Sequence, residues 1–400
     1  MKQKMKYILF SLIPLLLLLL VSELLLRLVL GFPSGMCNII IRGEYGLYPS
    51  HREFINYVGV APYRIKTNSL GMRSPEINRQ KEKNTIRIAC LGDSYTDGFY
   101  VDNEQTYPAL LQEILNAKQA ELSIEVINGA RGGGTIAGIK SSSFFTECTG
   151  QLATLVNVVA PLSPDVVVLL FYANDIYELS ENPGVVTQAK ELIVSYRGVI
   201  AEYNKPFAEQ MSDWIFTRTA IGETLIRFKR PFLYENFQRN KDIGLDEHRY
   251  DHLTGGANFL DNLENYWQRY SSRDGMVLTD KKLNSPKTRQ LLTTYLDCLK
   301  LANEFCLENQ IQLVFAYLPA YLQIYLQDER LPLTIRDILK TSCDNEAIPF
   351  CDLTETFQEA GQAEVLHFAP LDYHHNPAGN LLLAKGISQY LKDAKLIKVE

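Results

Sequence analysis

The sequence predicts an α/β protein: a three-layer α/β/α sandwich around a central parallel sheet, with an N-terminal transmembrane helix and a helical insertion. Three observations support this fold class. Short apolar runs alternate with segments whose apolar residues recur at helical spacing, as in a parallel sheet covered by helices on both faces. The run 166–172 is apolar throughout, which is typical of a central strand. The segment 7–30 is almost entirely apolar and long enough to cross a bilayer core.

The composition is that of an ordinary globular protein, with 46% hydrophobic and 22% charged residues among 400. The formal net charge is −6 at pH 7, and basic residues form only short runs such as 281–282. Because binding to nucleic-acid phosphates requires a basic patch, we expect no nucleic-acid partner.

The N-terminus predicts a membrane anchor. Three lysines in residues 1–6 precede the apolar segment 7–30, which predicts a cytoplasmic tail and a single transmembrane span. Glu23 and Arg27 interrupt the span near its end, where long side chains can reach the outer interface. A cleaved signal peptide is the alternative, although no small-x-small cleavage site follows closely. Either way, the rest of the chain is expected outside the cytoplasm, and an uncleaved anchor would hold it at the cell membrane.

Residues 31–84 are predicted to be a connector that packs on a main domain of residues 85–400. Apolar runs that end at glycine or polar loops predict strands at 86–91, 124–127, 166–172, 313–318 and 349–353. Apolar residues at helical spacing predict helices at 107–117, 152–159, 292–306 and 381–391.

The stretch from about 185 to 290 does not follow the strand–helix alternation and is predicted to be a helical insertion above the sheet. It carries both tryptophans, Trp214 and Trp267, and many tyrosines. These aromatic residues either pack inside the insertion or form a surface on which sugars stack.

The loop after the first predicted strand holds a candidate nucleophile. Ligands in an open parallel sheet gather at the carboxyl ends of the strands. Gly92-Asp93-Ser94 follows the first strand, where glycine permits a sharp turn that leaves the hydroxyl of Ser94 accessible. A serine needs a base to act as a nucleophile, and by itself this tripeptide is equally consistent with a helix cap.

The loops after the next two strands hold candidate oxyanion donors. A glycine-rich loop at 129–134 follows the second strand and lets backbone amides approach a substrate. Asn174 follows the third strand, where its amide can donate to an oxyanion or cap a turn. The glycine loop lacks the Gly-Lys-Ser/Thr ending of a phosphate-binding loop.

The segment near the C-terminus holds a candidate general base. Asp372 lies close to His374 and His375, and a histidine beside a carboxylate is the base that Ser94 needs. A metal site is the alternative, since His367 is also close in sequence. A second histidine pair at 248 and 252 lacks the glutamate of the helical zinc motif. We therefore expect neither a metal nor another cofactor.

The cysteines show no C-x-x-C spacing typical of zinc or redox sites. There are seven, an odd number, so at least one is unpaired within the chain. A disulfide is permitted outside the cytoplasm, and Cys343 with Cys351 is the pair singled out for a test.

The serine, glycine, asparagine and histidine motifs together resemble the SGNH (GDSL-type) hydrolase superfamily, in which four blocks supply these residues. The resemblance runs from about residue 86 to 391, apart from the insertion. It implies a flavodoxin-like sandwich in which Ser94 is the nucleophile. It further implies that the amides of Ser94 and Gly132 and the side chain of Asn174 form the oxyanion hole. The family usually has glycine where Ala173 stands, which is a mild departure.

The fourth block admits two registers. The common spacing Asp-x-x-His pairs Asp372 with His375, whereas the pattern Asp-x-His-x-Asn-x-x-Gly pairs Asp372 with His374. Asn376 and Gly379 fit the second pattern, so we prefer His374 as the base and keep His375 as the alternative.

The resemblance also implies the class of reaction. The stretch 68–76 is similar to a segment of bacterial membrane-anchored members, which are often tied to acyl groups on cell-surface polysaccharides. We expect a serine esterase that removes an acyl group, in particular acetyl, from a small molecule or an extracytoplasmic glycan. An O-acyltransferase that moves the group to a polysaccharide is one alternative, and a non-catalytic glycan-binding or scaffold protein is the other. The sequence leaves the oligomeric state open.

Overall fold

The computed structural model describes residues 2–30, 36–41, 47–117, 122–137, 150–179, 184–200, 207–243, 245, 249–250, 283–326, 331–368 and 372–397. The second histidine pair at 248 and 252, Trp267 and Cys148 lie outside the described residues.

Seven strands are found among the described residues, and they form two sheets. A two-stranded antiparallel sheet pairs β1 (Glu53–Asn56) with β2 (Tyr63–Lys66). The main sheet contains β3 (Thr85–Leu91), β4 (Ser123–Asn128), β5 (Val166–Phe171), β6 (Gln312–Tyr317) and β7 (Phe350–Asp352). Its order is β4-β3-β5-β6-β7, and every pairing is parallel.

This order confirms the predicted flavodoxin-like arrangement. The chain starts at an inner strand, places the second strand on one side of it and adds the remaining three on the other. The direction of winding reverses between β3 and β5, which is where such sheets bind their ligands. The strand β5 is buried along its whole length, as its uninterrupted apolar sequence predicts.

The described α-helices lie before, between and after these strands. The chain up to β5 holds α1 (Lys2–Leu30), α2 (Ser94–Asp97), α3 (Tyr107–Asn116) and α4 (Gln151–Thr154). Between β5 and β6 are α5 (Asn174–Tyr177), α6 (Val185–Val194), α7 (Phe207–Arg218), α8 (Ala220–Lys229), α9 (Pro231–Asn240) and α10 (Pro286–Glu308). The remainder are α11 (Tyr321–Tyr325), α12 (Thr334–Asn345), α13 (Thr354–Gly361) and α14 (Pro377–Asp393).

Helices cover both faces of the main sheet, which creates two separate apolar cores. On one face, alternate residues of β3, β5 and β6 pack against α4, α6, α10 and α12. On the other face, the intervening strand residues pack against α3, α13 and α14. This alternation is the two-residue period of a strand buried on both sides, and it produces the predicted three-layer sandwich.

The predicted connector contains regular structure that its sequence did not indicate. The β1–β2 hairpin is built from strands of four residues, and its buried side chains Tyr63 and Ile65 belong to a third apolar cluster. This cluster also includes Tyr48 and Val101, together with Ile226 of α8. The segment before β3 is therefore packed against both the sandwich and the helices that follow β5.

The N-terminal helix α1 is the one described helix that is long and apolar enough to cross a membrane. The qualifying window is Leu12–Val29, and none of it is buried within the protein. Glu23 and Arg27, in its last turns, form hydrogen bonds to other described parts of the chain.

Candidate active site

The predicted site residues meet at the carboxyl edge of the main sheet. Ser94 is the first residue of α2, directly after β3, and Asn174 is the first residue of α5, directly after β5. Asp372 and His374 lie just before α14. The turn at Ser94 needs a glycine before it, because a Cβ on Gly92 would lie 2.2 Å from Thr96 Oγ1 and 3.1 Å from the carbonyl oxygen of Leu170.

Ser94, His374 and Asp372 form a continuous hydrogen-bonded chain. His374 Nε2 lies 2.7 Å from Ser94 Oγ, and His374 Nδ1 lies 2.5 Å from Asp372 Oδ1. The backbone amide of His374 also donates to Asp372 Oδ1, at 2.9 Å. Tyr100 Oη donates to the other oxygen, Asp372 Oδ2, at 3.1 Å. This carboxylate fixes the ring so that Nε2 faces the serine, which is the arrangement of a nucleophile, a base and its orienting acid.

His375 faces away from Ser94. Its ring stacks on Phe357, with the ring planes 13° apart, and it meets the edges of Tyr95 and His367. Neither ring nitrogen of His375 has a hydrogen-bond partner in the described structure. Burial, followed by repulsion from His374, lowers the pKa of His375 to about 3, so this ring stays neutral.

The two histidines therefore have opposite electrostatic environments. Burial by itself would lower the pKa of His374, but the charge and hydrogen bond of Asp372 outweigh it and raise the pKa above the ordinary value. Burial would raise the pKa of Asp372, and the charge of His374 lowers it instead. The pair is thus arranged to stabilise an imidazolium beside a carboxylate, which is what a general base needs once it has accepted a proton.

Asn174 lies close to the turn that carries Ser94, because it interacts with Asp93 in that turn. The Asp93 side chain accepts a hydrogen bond from the amide of Tyr95 at 2.9 Å and so caps α2. Burial raises the pKa of Asp93, and hydrogen bonds from Tyr95 and Asn174 oppose the shift. Because a primary amide has two N–H donors, a bond to Asp93 leaves Asn174 a second donor.

The amide of Gly132 is already engaged. It donates to Asp97 Oδ2 at 2.8 Å, in a buried position. This hydrogen bond conflicts with the prediction that the Gly132 amide points into an oxyanion hole, because that N–H is used within the protein. Gly132 instead lies under Phe99, whose ring would be 2.2 Å from an added Cβ.

Asp97 connects the site to the segment before β3, which the sequence reasoning missed. Tyr48 Oη donates to Asp97 Oδ2 at 2.9 Å, and Arg73 Nη1 donates to Asp97 Oδ1 at 3.3 Å. Arg73 also donates to the backbone carbonyls of Asp97, Gly98 and Val101. The side chains of Arg73 and Asp97 are fully buried. The sequence feature that could have indicated this role is the position of Asp97, one helical turn after Ser94.

Aromatic rings enclose the base. The rings of Tyr95, Phe99, Tyr100 and Tyr373 have centroids 4.9 to 5.3 Å from that of His374. Ser94 itself is buried, with 6% of its surface exposed. Among the described residues, no group of three His, Cys, Asp or Glu side chains could hold a metal ion.

Residues 88–244 match the sequence model of the GDSL-like lipase/acylhydrolase family. The matched region contains Ser94, Gly132 and Asn174 and ends before Asp372 and His374, which the fold brings to the same edge. A search of curated proteins finds no match.

Several solved structures are similar to the chain. A protein assigned to the G-D-S-L family of lipolytic proteins, from Desulfitobacterium hafniense DCB-2, is 14% identical with a TM-score of 0.36, over 76% of this chain and 99% of that one. The acetylxylan esterase Axe2 from Geobacillus stearothermophilus is 15% identical with a TM-score of 0.38, over 78% of this chain and 96% of that one.

The sequence match covers Ser94, the glycine-rich loop and Asn174, which follow successive strands in the expected order. Residues 88–244 therefore form a GDSL-like lipase/acylhydrolase domain, and the protein is a serine hydrolase.

Proposed function

We propose that this serine hydrolase is an esterase that removes a small acyl group, acetyl in particular, from an extracytoplasmic glycan. The observation that carries the chemistry is the chain Asp372–His374–Ser94, with its 2.5 Å and 2.7 Å contacts. The enclosure of His374 by four aromatic rings supports a small acyl group, because a long chain needs more room beside the serine.

The proposed reaction proceeds through an acyl-serine. His374 Nε2 takes the proton of Ser94 Oγ as that oxygen attacks the ester carbonyl. The tetrahedral intermediate collapses, the carbon–oxygen bond to the alcohol breaks, and His374 returns the proton to the leaving oxygen. Water then attacks the acyl-serine with the same base, which releases the carboxylic acid and restores Ser94.

Two donors are proposed for the oxyanion: the backbone amide of Ser94 and the side-chain amide of Asn174. The amide of Ser94 lies at the first position of α2, where it has no acceptor within the helix. Each donor of this kind contributes about 3 to 4 kcal/mol to the barrier reduction. The Gly132 amide would be a third donor only if its hydrogen bond to Asp97 were broken. In the described conformation that bond is formed, so we assign Gly132 to shaping the loop.

The proposed location follows from α1. Its apolar window Leu12–Val29 serves as a membrane span, and three lysines before it favour a cytoplasmic N-terminus. The site then lies on the outer side of the membrane, where acylated surface glycans are found.

The test measures hydrolysis of p-nitrophenyl acetate, p-nitrophenyl decanoate and an acetylated glycan by the detergent-solubilised full chain. We expect turnover of p-nitrophenyl acetate and of the acetylated glycan, and little turnover of the decanoate. Ser94→Ala is expected to lose the turnover of both acetyl esters. A Ser195→Ala variant is the matched control, because Ser195 is an exposed serine far along the chain in the turn after α6. Unchanged turnover in Ser94→Ala would refute the assignment.

Faster decay of the acyl-enzyme with a polysaccharide acceptor than with water would instead identify an O-acyltransferase. Glycan binding without any turnover would identify a scaffold protein.

A further inference from the structure

We propose that the helical hairpin α7–α8 lies in the outer interface of the membrane beside α1 and forms a second membrane-contacting element. The proposal rests on the proposed transmembrane role of α1 and goes beyond it, since it assigns a lipid-facing surface to the insertion. Its starting observation is that α1 is joined to the turn between α7 and α8 by specific polar contacts.

Glu23 and Arg27 of α1 satisfy the open backbone groups of that turn. The two carboxylate oxygens of Glu23 accept from the amides of Ala220 and Ile221, each at 3.0 Å. Arg27 Nη2 donates to the carbonyl oxygen of Arg218 at 2.9 Å, and Arg27 Nε donates to Glu23 Oε1 at 2.6 Å. A carboxylate at the start of one helix and a guanidinium at the end of the other both complement the helix dipoles.

The position of Glu23 sets the depth of the turn. Glu23 comes six residues before Val29, the end of the apolar window, and a helix rises 1.5 Å per residue, so the contact lies about 9 Å inside the end of the span. This matches the depth of about 5 to 10 Å at which interfacial helices insert their apolar faces. Backbone groups at such depth need partners within the protein, and Glu23 and Arg27 supply them.

Both α7 and α8 carry exposed apolar side chains at helical spacing, beside exposed polar residues such as Glu209 and Gln210. On α7, the exposed residues Phe207, Met211 and Trp214 recur at positions i, i+4 and i+7, so they form one stripe. On α8, Leu225 is 47% exposed and Phe228 is 83% exposed, and they are three residues apart. These five side chains define the hairpin patch.

The composition of the hairpin patch favours lipid over a sugar. A sugar-stacking surface pairs an aromatic ring with polar hydrogen-bonding side chains, whereas Trp214 shares its stripe with Phe207 and Met211. Arg218 and Lys229 are exposed at the ends of α7 and α8 and can reach lipid phosphates. A patch that continues from the membrane span, with cationic residues at its border, fits a bilayer surface.

The contact also connects the membrane to the active site. Ile226 of α8 and Leu233 of α9 are buried in the third apolar cluster, together with Tyr100 and Phe368. Tyr100 donates to Asp372 and packs against His374. The hairpin therefore fixes the site at a defined height and orientation above the membrane, as an enzyme acting on membrane-proximal substrates requires.

The experiment uses the full chain reconstituted in vesicles of phosphatidylcholine with phosphatidylglycerol. A Trp267→Phe variant leaves Trp214 as the sole tryptophan. Lipids carry a spin label either near the headgroup or near the end of the acyl chain. We expect the shallow label to quench most of the Trp214 emission, the deep label to quench less, and aqueous iodide to quench little. Leu307→Trp in a Trp214→Phe, Trp267→Phe background is the matched control, because Leu307 is an exposed apolar residue on α10; we expect the reverse pattern there.

A second arm covers the case in which Trp267→Phe loses its hydrolase activity. Phe228→Cys and the control Leu307→Cys are each labelled with a polarity-sensitive thiol dye, since the described native cysteines are buried. A blue shift on reconstitution for Phe228→Cys alone supports the hairpin.

Flotation of the vesicles separates failure of the hairpin from failure of the anchor. A chain that floats but shows iodide quenching and no lipid quenching of Trp214 overturns the hairpin and leaves the anchor standing. Shielding from both quenchers indicates a protein partner or a second copy and also overturns it. A chain that does not float overturns both the hairpin and the anchor.

Discussion

The carboxylate of Asp372 determines when His374 can act as a base. The Asp372–His374 pair raises the pKa of His374 above its ordinary value despite burial. The ring takes a proton from Ser94 only when it is neutral. Esterase kcat/KM is therefore expected to rise with pH through a pKa above the ordinary histidine value of 6.5 and to be lost as pH falls below it.

Replacement of the carboxylate by Asp372→Asn tests this directly. Without the negative charge, burial dominates, the pKa of His374 falls, and the acid limb of the pH profile moves to lower pH. The plateau falls by roughly 10²- to 10⁴-fold, because the ring loses its orientation and its counter-charge. The measurement is kcat/KM for p-nitrophenyl acetate across pH, with Asp337→Asn on the exposed surface of α12 as the control. An acid limb that stays in place in Asp372→Asn would contradict the assignment.

The neighbouring histidines are expected to differ sharply in a matched pair of substitutions. His375→Phe keeps a ring stacked on Phe357 and removes two nitrogens that have no partner, so activity is retained and stability changes by no more than about 1 kcal/mol. His374→Phe removes the base and abolishes turnover while the fold is kept. Turnover rates and urea unfolding of both variants check this. Loss of turnover in His375→Phe alone would reverse the two roles.

At this scale, the sequence could predict which residues meet but not which of two adjacent histidines faces Ser94. The choice depends on how the ring of His375 packs. That ring lies against Phe357, which is distant in sequence, and against His367, which the fold of the chain brings beside it. The hydrogen bond from the Gly132 amide to Asp97 could not be predicted either, because it joins the glycine-rich loop to helix α2.

At the scale of elements, the segment before β3 is held to α2, the helix that begins at Ser94, by a buried ion pair. Arg73 donates to the side chain of Asp97 and to three backbone carbonyls at the end of α2 and in the turn that follows it. Asp97 in turn holds the amide of Gly132. The segment is thus a structural support for the loops that carry the site.

Removal of this cation is expected to be costly. Arg73→Leu leaves the Asp97 carboxylate buried without its cation, which destabilises the fold by about 3 to 5 kcal/mol. Arg64→Leu is the matched control, since Arg64 is an exposed arginine of the adjacent strand β2 in a surface ion pair, and its loss costs less than about 1 kcal/mol. Urea unfolding of both variants in detergent measures the difference. Equal midpoints for the two variants would show that the buried pair does not hold the segment.

The long and strongly patterned elements were predictable, and the short ones were not. The strands β3 to β7 and the helices α3, α10 and α14 coincide with the predicted ones to within a few residues at most ends, although α10 begins six residues earlier than predicted. The β1–β2 hairpin was missed because strands of four residues carry too little alternation to stand out. Helices α12 and α13 were missed as well; each is short and charged on its exposed side.

At the scale of the whole molecule, the cysteines behave as core side chains. Six of the seven are free and buried, and they include Cys343 and Cys351, so the disulfide considered for that pair is wrong. Burial raises the pKa of both thiols to about 12.

The expected result is that a thiol reagent such as dithiobis(nitrobenzoic acid) leaves these six cysteines unmodified in the native chain and reacts with them after denaturation. Peptide mapping of the modified residues checks this at native pH. Rapid modification of Cys343 or Cys351 in the folded protein would contradict their burial.

The central claim is that Ser94 carries the acyl group, and trapping the acyl-enzyme tests it most directly. The full chain is mixed with p-nitrophenyl acetate, quenched in acid within the first turnover and mapped by peptide mass spectrometry. The triad geometry predicts one acetyl group on the peptide containing Ser94, and none in Ser94→Ala or His374→Phe. An acetyl group on another residue, or continued turnover by Ser94→Ala, would contradict it.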